Sequence, residues 1–204
     1  AQSMLSAALP YIMSDFNVDT TLAQLLTTGY FYVLGILSVL TAFLINSFDT
    51  RKLFLAAMCF FVMGSGIAIF APNYPVLLAA RFLQAGGNGI MIPLIQNVAV
   101  EVYPKERHGF ALGLDGMVIG FAPVLGPVLS GAIVQFWGWR AVFDILGGLG
   151  AMALIVSVFT VHNFGEHHHE VLDIRSCLLF IPGLIIFMVG VTCTEQKGLY
   201  QWFS

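Results

Sequence analysis

Residues 120–131 read GFAPVLGPVLSG and contain three glycines and two prolines. Both residue types weaken a helix, yet this stretch lies in one of the most apolar regions of the chain. The whole sequence of 204 residues is 58% hydrophobic and only 9% charged. That composition excludes an ordinary soluble domain and indicates a membrane protein.

The apolar residues occur in blocks that are long enough to cross a bilayer, since about 20 helical residues span its hydrocarbon core. We predict helices at 24–46, 53–71, 76–100, 109–134, 141–162 and 174–193, after an incomplete helix at 1–14. The chain begins without Met and within an apolar run, so we expect a fragment of a longer protein. Residues 1–14 lack the charged start and the cleavage site of a signal peptide.

The small residues of the fifth block fall on one side of a helix. At about 100° per residue they lie within about 100° of arc, and they are Gly109, Gly113, Gly116, Gly120, Pro123, Pro127 and Ser130. Small residues let a neighbouring helix backbone approach closely, which drives helix packing in lipid. This face is therefore either a static packing surface or a contact along which two helices slide during a conformational change.

Lys and Arg predict the orientation in the membrane. The connections that contain Arg51 and Lys52, Lys105 and Arg107, and Arg175 all fall on one side, and the positive-inside rule makes that side cytoplasmic. The opposite connections at 14–21 and 71–75 contain no Lys or Arg, while Arg140 and Lys197 are exceptions. The N-terminus is then also expected to be cytoplasmic.

Arg81 lies a few residues inside the fourth block, and Gln84 and Asn88 fall within about 60° of it on a helix. A cation inside a span is expensive and normally faces protein or a water-filled cavity. In one interpretation these three residues line a central cavity, and Arg81 holds a carboxylate or tunes its proton affinity. In the other, Arg81 extends to the outer headgroups and only anchors the helix.

Two weaker polar stripes occur at helical intervals, and both contain candidates for lining the cavity. The second block carries Gln24, Thr27, Thr28, Phe31 and Gly35, and the first carries Ser3, Ser6 and Pro10. Hydroxyl groups equally often bond to carbonyls of their own helix. The aromatic residues Tyr30, Phe31 and Tyr32 could contact an aromatic cation, but a lipid-facing position is the simpler expectation in this aromatic-rich chain.

Asp115 is the carboxylate that lies deepest within an apolar block. Burial favours the neutral form of a carboxyl group, so Asp115 is a candidate proton carrier. The alternative is that it lies near the end of its helix, in water or paired with a basic loop residue.

The longest polar stretch of the chain is HNFGEHHHEVLDIR at 162–175, which we interpret as a solvated linker. Three consecutive histidines, His167, His168 and His169, cannot face one metal ion in a regular helix or strand. We expect no metal, no cofactor and no nucleic-acid partner. No nucleophile and base converge, and no phosphate-binding loop is present, so an enzyme or an ATP-driven pump is disfavoured.

Several motifs together resemble one family. GFAPVLGPVLSG resembles the fifth-helix antiporter signature of the major facilitator superfamily, in the form of its fourteen-span drug:proton antiporters of the EmrB/QacA type. LLAARFLQAGGNG (77–89) resembles the fourth-helix motif of this family, AALPYI (7–12) the end of its first helix, and YPKERHGFALG (103–113) the entry to its fifth. WGWRAVF (137–143) and LDIRSCLL (172–179) are similar to the starts of its sixth helix and of the extra helix that follows.

The resemblance implies an all-α integral membrane fold. A six-helix N-terminal bundle of two inverted three-helix repeats would occupy 1–163, followed by a cytoplasmic linker at 164–173, one extra transmembrane helix at 174–193 and the start of an extracellular loop at 194–204. The C-terminal half of the protein would follow. Such proteins lie in the bacterial cell membrane and export hydrophobic or cationic compounds by alternating access, in exchange for protons.

The resemblance also assigns roles to residues. Arg81 takes the place of the family's proton-relay arginine, and the antiporter motif falls on Gly116, Gly120, Pro123, Gly126, Pro127 and Gly131. The cytoplasmic loop motif falls on AFLINSFDTRK (42–52), where Leu44, Arg51 and Lys52 fit the family pattern. Asn46 replaces the acidic residue that forms the family's charge latch, and Asp49 could substitute for it by a shift of register.

The leading hypothesis is therefore a proton-coupled exporter of drugs and other amphipathic small molecules. An exporter with the same fold and a narrower cargo, such as an amino acid, a peptide or a self-made antibiotic, is the closest alternative. A membrane sensor without transport activity is a third possibility.

Overall fold

The computed structural model describes residues 2–161 and the pair 182–183. Between 2 and 161 the chain forms α1 (Gln2–Phe16), α2 (Thr20–Ser47), α3 (Thr50–Ile69), α4 (Tyr74–Val102), α5 (His108–Trp137) and α6 (Arg140–Thr160). A short 3-10 turn at Lys105–Arg107 leads into α5. The all-α fold and the helical blocks predicted before residue 162 are confirmed. The predicted linker and terminal loop lie outside the described residues, as does nearly all of the seventh helix, and they stay predictions.

Local sequence sets the ends of these helices. The side chain of Asn73 accepts a hydrogen bond from the backbone N–H of Val76 at 3.1 Å, and Pro75 occupies the first turn of α4, where a proline removes no helical bond. Gly138 has a φ of 81°, which a residue with a side chain rarely adopts. It ends α5 and turns the chain into α6.

Four of the described helices are long and apolar enough to cross a membrane, and they are α2, α3, α5 with its preceding turn, and α6. Helix α1 has 15 residues, fewer than the roughly 20 that a span requires. Helix α4 has 29 residues, but Arg81, Gln84 and Asn88 interrupt its apolar sequence. Helices α2 and α3 pack against α4 and cover Arg81 and Gln84.

Helix α4 lies between α2 and α3, and glycines allow it to approach both. A Cβ atom on Gly64 of α3 would lie 2.7 Å from the carbonyl oxygen of Ala80 in α4. A Cβ atom on Gly89 of α4 would lie 2.9 Å from the carbonyl oxygen of Leu34 in α2. Only glycine fits at such distances, and close backbone contact supplies the packing attraction that the hydrophobic effect cannot supply within lipid.

The helix pairs reveal two inverted repeats, α1–α3 and α4–α6. Helix α1 packs along α5, and α2 packs along α4, so the first and second helices of one repeat contact the second and first of the other. Helix α3 packs against α6, its counterpart. This is the N-terminal six-helix bundle that the sequence predicted.

A polar clamp joins three helices at one end of the bundle, which we call the clamp end. Trp139 Nε1 and Arg140 Nη1 of α6 donate to the same oxygen of Asp15 in α1, at 2.8 and 3.0 Å. Arg140 Nη2 also donates to the carbonyl of Ala71, just after α3, at 3.4 Å. The guanidinium lies over the Trp139 ring, and Phe16 packs against the same ring. The clamp therefore connects the two repeats.

Replacement of Arg140 by Ala should lower the thermal stability of the protein in detergent. The bonds of its partly exposed guanidinium are together worth about 1 kcal/mol after solvent screening, which corresponds to about 2–4 °C in the unfolding midpoint of a chain of this size. Lys52→Ala is the control, because Lys52 pairs with Asp49 only one helical turn away and joins no second helix among those described. Equal losses in the two variants would contradict a structural role of the clamp.

Candidate functional site

The polar residues predicted on one face of α4 lie inside the bundle. The side chains of Arg81 and Gln84 have an exposed fraction of 0%, and Asn88 is half-buried. Arg81 Nη1 donates to Gln84 Oε1 at 2.8 Å, one turn deeper in the helix. The guanidinium thus points into the protein, which contradicts the alternative that Arg81 reaches the headgroups. Gln84 has no exposed surface in this arrangement of the described helices, and its predicted role in lining a cavity stays a prediction.

Gln84 is oriented by a hydroxyl group on α3. Gln84 Nε2 donates to Ser65 Oγ at 2.7 Å, and Ser65 Oγ donates in turn to the carbonyl of Phe61 at 2.9 Å. Because the Ser65 proton is committed to Phe61, its oxygen must accept from the amide nitrogen of Gln84. The amide oxygen is then left to accept from Arg81, and the amide orientation is set by this chain of bonds.

The other side of Arg81 is covered by an aromatic ring of α2. Its Cζ atom lies 4.3 Å from the centroid of the Tyr30 ring, within the range of a cation–π interaction. Asn88 Nδ2 donates to the Tyr30 hydroxyl. We call Arg81, Gln84, Ser65, Tyr30 and Asn88 the Arg81 cluster. It brings together α2, α3 and α4 around a positive charge in the apolar part of the bundle.

Tyr30 was expected to face lipid, and this was wrong, because only 2% of it is exposed. Its place follows from a buried stripe of α2 that also contains Ala23 and Leu26, at helical spacing. Because lipid-facing positions are apolar too, that spacing alone does not identify the buried face from the sequence. The neighbouring polar stripe points elsewhere: Gln24 and Phe31 are exposed and Thr27 is half-buried. A cavity-lining role for these three stays a prediction.

The serines of α1 face α5 and solvent. Ser3 Oγ donates to the carbonyl of Ala122 in α5 at 3.0 Å, and Ser6 Oγ donates to the carbonyl of Ser3 at 2.8 Å. The bond of Ser6 therefore stays within α1, as expected for a hydroxyl group that bonds to a carbonyl of its own helix. Ser6 is exposed, so its role in lining the cavity stays a prediction.

The glycine face of α5 is largely uncovered in the described part of the chain. Gly126 packs directly against Ser3, and Pro127 is half-buried beside it. An added Cβ would meet nothing within 4 Å at Gly109, Gly113, Gly116, Gly120 or Gly131. Pro123 is also exposed. Of the stripe predicted on α5, only Ser130 is fully buried among the described helices, and the close contact at Gly126 lies beside that stripe.

Asp115 is half-buried on α5 and lies far from Arg81. Helix α4 starts at the clamp end and α5 at the opposite end. At about 1.5 Å per residue, each helix is about 45 Å long and each of the two residues lies about 10 Å from the start of its helix. Because the two helices start at opposite ends, about 20 Å separates Arg81 from Asp115 along the helix direction. Direct pairing of Asp115 with Arg81 is excluded in this arrangement. The proton-carrying role of Asp115 stays a prediction.

The loop motif between α2 and α3 forms local contacts at the end opposite the clamp. We call this the basic end, because Arg51, Lys52, Lys105 and Arg107 lie there. Asp49 pairs with Lys52 at 2.6 Å, and Arg51 Nη2 donates to the carbonyl of Val158 near the end of α6 at 2.7 Å. Leu44 packs beside the buried Leu53 and Ala57. The contact of Arg51 joins α3 to α6, whereas Asp49 pairs within its own segment.

No group of three or more His, Cys, Asp or Glu side chains suitable for a metal occurs in the described ranges. His167, His168 and His169 lie outside them.

A bundle of two inverted three-helix repeats around a buried guanidinium defines a polytopic helical membrane protein. The family model described as Major Facilitator Superfamily matches residues 1–194. The chain therefore belongs to the Major Facilitator Superfamily.

Relatives agree with this assignment. The chain is 42% identical over 203 residues to the uncharacterized MFS-type transporter YcnB of Bacillus subtilis, covering 100% of the chain and 42% of that protein. It is 36% identical to the lincomycin resistance protein LmrB of the same organism, covering 100% of the chain and 42% of LmrB. It is 27% identical to the riboflavin transporter RibZ of Clostridioides difficile, covering 94% of the chain and 40% of RibZ. The chain thus spans about two fifths of the length of these curated relatives.

Gly64→Ala should disturb the Arg81 cluster through the helix contact that supports it. The added methyl group would collide with the Ala80 carbonyl and with the backbone nitrogen of Gln84 at 2.8 Å, so α3 and α4 must separate where Ser65 binds Gln84. Overpacking of this kind typically costs about 1–3 kcal/mol. We expect a lower unfolding midpoint in detergent. Gly66→Ala is a matched control on the same helix, because no described residue lies within 4 Å of its added Cβ; an equal loss there would argue against the contact.

Proposed function

We propose that the chain is part of a secondary transporter that exports hydrophobic or cationic small molecules in exchange for protons by alternating access. The observation that carries this proposal is the Arg81 cluster. A guanidinium with no exposed surface is costly within a membrane, and polar or ionisable groups there commonly serve transport pathways and proton relays. The cluster holds a fixed positive charge beside which a carboxylate would release its proton more readily.

The names of the relatives support small-molecule transport and leave two cargo classes. Lincomycin resistance in LmrB and multidrug resistance in a Mycobacterium tuberculosis relative favour drugs and similar amphipathic compounds. The riboflavin transporter RibZ favours a narrower cargo. We therefore propose drug export as the leading function and export or transport of one specific small molecule as the alternative.

An ion gradient is the energy source that fits the sequence. The chain contains no phosphate-binding loop of the Walker type. We propose protons as the coupling ion, with Arg81 as the relay arginine and Asp115 as a second candidate for proton binding. The motif formed by Gly116, Gly120, Pro123, Gly126, Pro127 and Gly131 supports exchange over uptake with the ion, by resemblance to the antiporter signature.

We propose a multi-pass protein of the bacterial cell membrane, of the fourteen-span type, with the basic end in the cytoplasm. Four basic side chains lie at that end, whereas Arg140 at the clamp end is engaged by Asp15. The positive-inside rule then makes the N-terminus cytoplasmic and the clamp extracellular.

We also propose that the uncovered face of α5 contacts the C-terminal half of the same protein. Large apolar residues along this helix are exposed, among them Met117 at 59% and Phe121 at 58%. Lipid could cover these apolar side chains. The glycines between them, however, would let the backbone of another helix approach closely, which favours a packed helix at this face. The length of the relatives leaves ample chain to supply that helix.

Arg81→Ala should abolish coupling if the proposed function is correct. The full-length protein in energised inverted vesicles would be challenged with amphipathic cations while the lumen pH is followed by fluorescence quenching. We expect cation-induced proton release in the wild type and none in the variant, because the fixed charge is gone. Arg107→Ala is the control, since Arg107 is exposed at the basic end.

Two outcomes would contradict this proposal. If no amphipathic cation moves protons in folded wild-type protein, proton-coupled drug export is wrong and the narrower cargo becomes the leading hypothesis. If Arg81→Ala releases protons as the wild type does, Arg81 is not in the coupling path.

Gly120→Val should impair transport without destabilising the described bundle. Among the described residues the added side chain enters open space, so transport is impaired only if a further helix must approach α5 at this position. We expect normal expression and monodisperse protein but reduced transport rates. Val118→Leu, at an exposed position of the same helix, is the control; equal transport by Gly120→Val would show that no close helix contact forms at Gly120.

A further inference from the structure

Tyr30 holds an unusual position for an aromatic residue in a membrane bundle. It is almost completely buried, its ring lies beneath the Arg81 guanidinium, and its hydroxyl accepts a bond from Asn88. Both partners belong to α4 and lie two helical turns apart. The ring is therefore held at its face and at its hydroxyl end by the same neighbouring helix.

Close contacts on either side of Tyr30 hold α2 against α4. At Gly29 an added Cβ would lie 2.6 Å from the ring of Phe82, and at Gly89 it would lie 2.9 Å from the Leu34 carbonyl. These two close approaches lie before and after Tyr30 along α2. Sliding of one helix past the other would disturb both contacts, so they support the placement of the Tyr30 ring beside Arg81.

The guanidinium needs constraint from two directions. Gln84 bonds to Nη1 and is itself held by Ser65, which fixes one edge of the planar group. The Tyr30 ring lies against the flat face, which restricts tilting of the guanidinium. The negative face of the aromatic ring also attracts the cation in a region that excludes water.

We propose that Tyr30 is a positioning residue for Arg81, and that the face of its ring, more than its hydroxyl, holds the guanidinium in the orientation that proton coupling requires. The inference rests on the proposed function for its link to coupling. Its structural part, a cation held by an aromatic face, is independent of transport.

Two substitutions separate the ring face from the hydroxyl. Tyr30→Phe keeps the face and removes the hydroxyl, whereas Tyr30→Leu keeps apolar volume and removes the face. In the vesicle assay we expect Tyr30→Phe to retain cation-induced proton release and Tyr30→Leu to fall to the level of Arg81→Ala. If the two variants behave alike, whether active or inactive, the ring face is not the determinant and the proposal is overturned.

A spectroscopic measurement tests the contact without transport. In full-length protein labelled with ¹⁵N-arginine, the side-chain protons of Arg81 should be shifted upfield by the ring, and Arg81→Lys identifies the signal. We expect the shift in wild type and Tyr30→Phe and its loss in Tyr30→Leu. Arg140 lies 4.2 Å from the centroid of the Trp139 ring and is the internal control, whose signal should not change. An unchanged Arg81 signal in Tyr30→Leu would overturn the proposal.

Progressive fluorination covers the case in which Tyr30→Leu does not fold. Fluorinated phenylalanines introduced at position 30 weaken the negative ring face stepwise with little change of shape. We expect proton release to decline with each added fluorine, and equal release across the series would overturn the proposal. If wild type itself releases no protons while the Arg81 shift behaves as expected, the proposed function fails and the positioning contact stands.

Discussion

The burial of one permanent charge constrains much of this bundle. A guanidinium removed from water in a low-dielectric region requires compensation on each of its surfaces, because an uncompensated charge there costs several kcal/mol or more. The partners of Arg81 include an amide on its own helix and an aromatic ring on another. Each partner needs support in turn, from Ser65 and from Asn88. One charge thus determines side chains on three helices.

The support of this charge depends on how closely the helices approach. Ser65 is a short side chain, so its bond to Gln84 forms only where the backbones of α3 and α4 nearly touch, and Gly64 makes that possible. On the other side of α4, Gly89 allows a similarly close approach to the backbone of α2. The glycines of α5 between 109 and 120 are free of such contacts in the described part of the chain. Glycine therefore has two uses here, tight packing around Arg81 and an open face on α5.

The sequence predicted the helices well because a membrane requires long uninterrupted apolar runs. It also predicted that Arg81, Gln84 and Asn88 share a face, because that relation depends only on the spacing within one helix. It did not predict the place of Tyr30. The partners of Tyr30 are on α4, more than fifty residues away, and in isolation a tyrosine among many aromatic residues is indistinguishable from one that faces lipid. The sequence also did not predict the distance between Arg81 and Asp115, because that distance depends on the relative direction of α4 and α5.

The positions of the interhelical polar contacts indicate where the bundle can move. At the clamp end Arg140 connects α6 to α1 and to the end of α3, and at the basic end Arg51 connects α3 to α6. Both ends therefore join one repeat to the other, and the Arg81 cluster joins them again through α2, α3 and α4. Relative movement of the two repeats would break bonds at three levels at once. The open face of α5 carries no such bonds among the described residues, so a displacement at that face would break none of the interhelical bonds that hold the two repeats together.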